Sequence, residues 1–109
     1  MKLSELVSIL KTTGFQVVYS HFTVTEDNPM PDPPYITYIF TYSSNMYADN
    51  KVYKKINNIQ IELYTNKKDL QAEAKLEDLL DSNEITYQTS ELFIGSERIF
   101  QKVYEMRLI

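Results

Sequence analysis

"IQIELYTNKKDLQAEAKLEDLL", residues Ile59 to Leu80, changes its periodicity halfway along. Ile59, Ile61 and Leu63 alternate with Gln60, Glu62 and Tyr64, which predicts a strand with one apolar face. Beyond Lys67 the apolar residues Leu70, Ala72, Leu76, Leu79 and Leu80 recur at helical steps, while Lys75, Glu77, Asp78 and Asp81 fall outside the stripe. The spacing predicts a helix over 67–83, capped by Thr65 or Asn66 and stopped at Ser82-Asn83. Asp69 falls in its first turn, where a carboxylate favours the helix dipole.

Upstream, "SSNMYADNKVYKKINN" (Ser43–Asn58) is polar and rich in turn formers. Met46, Tyr47, Val52 and Tyr53 flank its "ADN", which predicts a small protruding hairpin. "YITYIFTY" (Tyr35–Tyr42) alternates again, so Ile36, Tyr38, Phe40 and Tyr42 share one face and the first three are expected to meet the core. Before it, "NPMPDPP" (Asn28–Pro34) holds all four prolines, and proline has no amide to donate to a ladder or a helix. A domain linker is excluded, because the residues before Pro29 are too few for a core without disulfides or metal. A proline-ligand reading is weakened by Asp32 inside the Pro31–Pro34 spacing and Asp27 before it. The segment is expected to be a stiff loop held off the sheet edge.

The chain opens with Leu3, Leu6, Val7 and Leu10 at helical spacing over Leu3–Lys11, with Gly14 as a stop. "FQVVYSHFTV" (Phe15–Val24) has strand composition. At the other end, "EITYQTSELFIGSERIFQKVYEMRLI" predicts two strands joined by a type II′ turn at Gly95-Ser96, with Leu92 opposite Ile99. The last strand has apolar residues on both faces, which suits a central position. The resulting order is α-β-β-β-α-β-β. It predicts one α+β domain over residues 1–109, with a mostly antiparallel or mixed sheet of four to five strands, two helices on one face and the protruding hairpin.

The chain has 109 residues, a net charge of −4 and no cysteine. Without cysteine there are no disulfides, thiol catalysis or common structural zinc sites. An acidic chain with no basic stripe is a poor nucleic-acid binder. No apolar run is long enough for a bilayer, and the N-terminus is too interrupted for a signal peptide, so an intracellular chain without membrane contact is expected.

His21 is the only histidine, and the two glycines permit neither a P-loop nor a dinucleotide fingerprint. Glu73 and Glu77 share a helix face, but without histidine partners a solvated face is the expected reading. No catalytic, cofactor or metal site is expected. The segments with functional weight are the proline loop (Pro29, Met30, Pro31, Pro33, Pro34, Tyr35) and the hairpin (Met46, Tyr47, Val52, Tyr53). Both are candidate subunit or partner contacts.

"PPYITY", "ADNKVY", "IQIELYTNKKD" and the closing "KVYEMRLI" together resemble the small tail-terminator and tail-completion proteins of long-tailed phages and prophages of Gram-positive bacteria. These pieces are strand and turn patterns rather than chemical signatures. The resemblance implies a structural assembly protein of the virion, made in the host cytoplasm and acting without catalysis or cofactor. It implies a ring, expected to be hexameric, that caps the tail tube, ends polymerisation of the major tail protein and offers a surface to the head connector. DNA would pass through the lumen without specific binding. The free chain is expected to be monomeric, with the ring closing only on the tail end. Another head–tail connector role, or a generic intracellular protein-binding adaptor, is the alternative.

Overall fold

A computed structural model describes residues 1–22, 24–27 and 29–108, with the backbone but not the side chains of Ala48 and Tyr53. The elements run α1 (Leu3–Lys11), β1 (Gln16–Tyr19), β2 (Tyr35–Ser43), β3 (Met46–Ala48), β4 (Lys51–Lys54), β5 (Asn57–Thr65), α2 (Leu70–Ser82), β6 (Gln88–Ile94) and β7 (Ile99–Leu108). Five strands form one sheet in the order β1-β2-β5-β7-β6, and β3 and β4 form a separate two-stranded hairpin. β1 runs parallel to β2, and the remaining neighbours are antiparallel. The fold is therefore α+β with a mixed sheet.

The parallel β1–β2 pair gives the proline segment its place. Parallel neighbours need a crossover of a dozen or more residues, because the chain must return to the starting end of the first strand. Residues 20–34 make that return, and the prolines occupy its second half. Of the strand expected over 15–24, in which Thr23 lies outside the described residues, Gln16–Tyr19 forms β1. Ser20 takes a left-handed φ of 66° and its N–H donates to Tyr38 O at 2.8 Å, which turns the chain out of the sheet.

Register assigns the two faces. Ile36 opposes Leu63 and Tyr38 opposes Ile61, which in turn opposes Tyr104, while Ile59 opposes Met106. These side chains point to one face, where they join Leu6 and Leu10 of α1 and Ala72, Leu76 and Leu80 of α2 in the core. Both helices thus cover the same side of the sheet. Burying each fully enclosed leucine or isoleucine contributes about 1.5–3 kcal/mol.

Phe40 is 43% exposed, contrary to the expectation that it enters this core. β1 ends level with Tyr38, so Phe40 lies beyond the last pair of that edge. Tyr42 does not share its face either. A bulge between Phe40 and Tyr42 shifts the register so that Tyr42 opposes Asn58, on the side away from the helices.

α2 begins at Leu70, later than the spacing suggests, because Asp69 is its N-cap: the Asp69 carboxylate accepts from Ala72 N at 3.1 Å. Leu70 is consequently exposed rather than part of the buried stripe. The helix ends as a Schellman motif, with Ile85 N donating to Leu80 O and Glu84 N to Asp81 O, and Glu84 in the left-handed position at φ 57°. The β6–β7 connection spans 95–98 instead of two residues. Ile94 pairs with Ile99 and Leu92 with Gln101, and Arg98 takes the positive φ.

The radius of gyration is 15.4 Å and the extents are 51 × 31 × 25 Å. A compact domain of this length would have a radius of about 13 Å. The β3–β4 hairpin is a separate small sheet, and none of its described side chains belongs to the core.

Candidate functional site

The proline loop and the hairpin join opposite ends of β2, one entering at Tyr35 and the other leaving after Ser43. Nine residues of strand separate these ends, roughly 27 Å at the usual rise. The structure therefore does not bring the two candidate segments into one site. Within the loop, Pro29 and Met30 are exposed, and Pro31, Pro33 and Pro34 are half-buried. The Pro33–Pro34 peptide is cis.

Tyr35 is buried within the chain rather than displayed. It is 4% exposed, stacks on Tyr64 at 5.0 Å between centroids and takes an edge contact from Phe22 at 5.3 Å. Crossover and sheet thus pack over this end of the face opposite the helices, which is why a tyrosine off the helix-covered side is buried.

The hairpin turns at Asp49 and Asn50, both left-handed at φ 50° and 61°. Two consecutive left-handed residues are the requirement of a type I′ turn, whose twist matches the strands, and Asp and Asn tolerate that conformation best among residues with a Cβ. Met46, Tyr47 and Val52 are exposed, Tyr47 the most at 72%. The side chain of Tyr53 lies outside the described residues. Lys51, Lys54 and Lys55 are in no ion pair among the described residues. The hairpin is held at its base, where Ser44 N donates to Ile56 O at 2.9 Å and Asn45 Oδ1 accepts from Ile56 N at 3.1 Å.

Two polar clusters not anticipated from the sequence lie elsewhere. Glu73 is buried rather than on a solvated face, and its carboxylate sits 2.9 Å from Lys68 Nζ and 2.8 Å from Lys102 Nζ. Burial alone would raise the Glu73 carboxyl, but the hydrogen bonds and charges of Lys102 and Lys68 outweigh it and hold the group below its ordinary range. Lys68 also donates to Glu91 at 2.7 Å, so the cluster ties α2 to β7 and the edge strand β6. Its position was written in the spacing: Glu73 stands three and seven residues before Leu76 and Leu80, inside the apolar stripe. A charge inside a stripe signals a buried partner.

The second cluster occupies the face away from the helices. Glu62 accepts from Thr37 Oγ1 at 2.6 Å, Gln60 Nε2 at 2.7 Å and Tyr64 OH at 2.9 Å, and Gln101 Nε2 donates to Tyr64 OH at 2.9 Å. Among the described residues no buried side-chain nitrogen or oxygen is left without a hydrogen-bond partner, and such a network stiffens the sheet it spans. His21 is exposed, with Nδ1 3.2 Å from Ser20 Oγ. Among the described residues no group of three His, Cys, Asp or Glu is placed to hold a metal ion, and no helix is long and apolar enough to cross a membrane.

Beside the hairpin base, an open groove of about 700 Å³ is lined by Tyr42, Asn58, Gln60, Tyr87, Glu105 and Arg107. A shallower depression of about 420 Å³ adds Asp81 and Glu84 and joins the groove through Thr86 and Tyr87. β6 pairs with β7 only from Gln88–Glu105 onward, so Met106 to Leu108 have a paired strand on the β5 side alone. Neither known protein families nor curated proteins contain a match to this chain.

Proposed function

We propose that this chain is a phage tail-completion protein that caps the tail tube as a head-to-tail ring and presents a surface to the head connector. The observation that carries this reading is the hairpin: it projects from a small domain, contributes none of its described side chains to the core and displays Met46, Tyr47 and Val52. An exposed aromatic arm of this kind has no use in an isolated domain and fits a contact made on assembly. A ring closed by head-to-tail contacts needs two different patches on each subunit. The proline crossover and the hairpin, at opposite ends of β2, are suited to that requirement.

The reading also accommodates the chemistry. The polar clusters on Glu62 and Glu73 are satisfied within the fold, leaving surfaces rather than reactive groups as the means of action. The net charge of −4 is compatible with a lumen through which DNA slides without adhering. The test is deletion of the gene from the phage or prophage that encodes it, with tails measured by electron microscopy. Overlong or headless tails are expected, and normal tails on filled heads would refute the proposal.

A further inference from the structure

We propose that the β3–β4 hairpin of one copy seats in the groove between the end of β7 and the Thr86–Tyr87 segment of a second copy. The inference rests on the ring-forming reading above and names the contact that joins its subunits.

Charge argues for this occupant. Residues 44–56 carry Lys51, Lys54 and Lys55 against Asp49, a net +2, so the remainder of the −4 chain carries −6. Near the groove stand Asp78, Asp81, Glu84 and Glu105, all exposed and none in an ion pair among the described residues. Arg107 is the one cation on the lining among the described residues. Tyr87 lines the depression together with Asp81 and Glu84, and its hydroxyl is raised by burial and then by the hydrogen bond and charge of Asp81. The basic arm and the acidic groove are thus complementary features of one chain, and neither set of charges is ion-paired within it among the described residues.

Shape and backbone agree. Tyr42 and Tyr87 offer aromatic walls to Met46, Tyr47 and Val52. The one-sided stretch Met106–Leu108 offers a strand edge to a hairpin whose own outer edges are open. Arm and groove are different surfaces, so the contact is heterologous and propagates around a ring.

The absence of cysteine makes the test direct. Val52→Cys and Thr86→Cys variants of the full chain are oxidised separately and mixed, at low ionic strength and high protein concentration. A disulfide-linked species should appear in the mixture and not in either variant alone. The triple variant Lys51→Glu, Lys54→Glu, Lys55→Glu in the Val52→Cys chain should lower its yield by about tenfold or more. Asp81→Lys with Glu84→Lys in the Thr86→Cys chain should restore it. Absence of the mixed product, or equal cross-linking of Val52→Cys with itself, overturns the proposal. Cross-linking in a chain whose deletion leaves tails normal would uphold the contact and remove the tail role. Overlong tails without the cross-link would do the reverse.

Discussion

Glu73 on α2 and Lys102 on β7 lie with Oε1 and Nζ 2.8 Å apart, each interrupting an apolar surface that the other faces. Glu73 stands in the stripe of Ala72, Leu76 and Leu80, and Lys102 between Phe100 and Tyr104 on the helix-covered face of the sheet. Each ion on its own would be costly to bury, and together with Lys68 they compensate. Lys102→Met strands the carboxylate on Lys68, whose side chain is half in solvent. The expected loss is about 1–3 kcal/mol, read from the urea midpoint. Pairing Lys102→Met with Glu73→Leu should recover most of it.

The same carboxylate sets an acid limit. Its folded value lies below its ordinary one of 4.5, so the unfolded chain takes up the proton first as pH falls. The stabilisation is fully present above that ordinary value and is lost as pH drops through the folded one. Urea midpoints measured at descending pH should fall more steeply for the wild-type chain than for Glu73→Gln. Parallel profiles would refute the assignment.

An alkaline limit comes from the opposite face. Burial, then the hydrogen bond to Glu62 and its charge, push the Tyr64 hydroxyl up to about 12, against smaller opposing bonds from Gln101 and Thr37. Tyr104 is raised too, by burial and then by the charges of Glu77 and Glu73. In the unfolded chain these phenols ionise near their ordinary 10.0, so stability is present below pH 10.0 and declines as pH rises toward the folded values. Tyr64→Phe should cost about 1 kcal/mol at neutral pH through its two lost hydrogen bonds. It should also flatten the decline above pH 10.0 in denaturant titrations.

Periodicity was a reliable guide where one face of an element is buried along its whole length. β5 and α1 follow it, because Ile59, Ile61 and Leu63, and Leu6 and Leu10, are enclosed throughout. It misled where an element runs past its partner. Phe40 keeps the alternation of β2 but sits beyond the end of β1, and Leu70 keeps the helical spacing but sits one residue past a cap. The parallel β1–β2 pairing has no local signature, since strand direction depends on where a fifteen-residue return deposits the chain. The hairpin was legible from its Asp-Asn turn and flanking aromatics. The groove was not, because it is assembled from residues of β2, β5, β7 and the segment before β6.

Glu84 should be replaceable with profit. It holds the left-handed position of the Schellman motif after α2, at φ 57°, where a Cβ is penalised and glycine is not. The two closing bonds, Glu84 N to Asp81 O and Ile85 N to Leu80 O, are made by backbone and survive the change. Glu84→Gly should raise stability by about 0.5–1 kcal/mol, the relieved strain exceeding the added freedom of the unfolded chain. Thermal unfolding would detect it as a higher midpoint, and a lower midpoint would show that the Glu84 side chain supports the fold.

The hairpin itself should be dispensable for folding and required for assembly. Ser43 pairs with Asn57 and Ser44 N reaches Ile56 O, so β2 and β5 are already in register for a tight turn. Replacing residues 45–55 with Asn-Gly closes them as a two-residue hairpin. The lost Asn45–Ile56 bond costs about 1 kcal/mol, partly offset by the shorter loop. Stability should therefore stay within about 1 kcal/mol of the parent, since none of the described hairpin side chains enters the core. The shortened chain, supplied to a phage lacking the gene, should leave tails overlong despite normal folding. Restored tail length would show that the ring closes without the arm, and a chain unable to fold would show that the arm belongs to the domain's own stability.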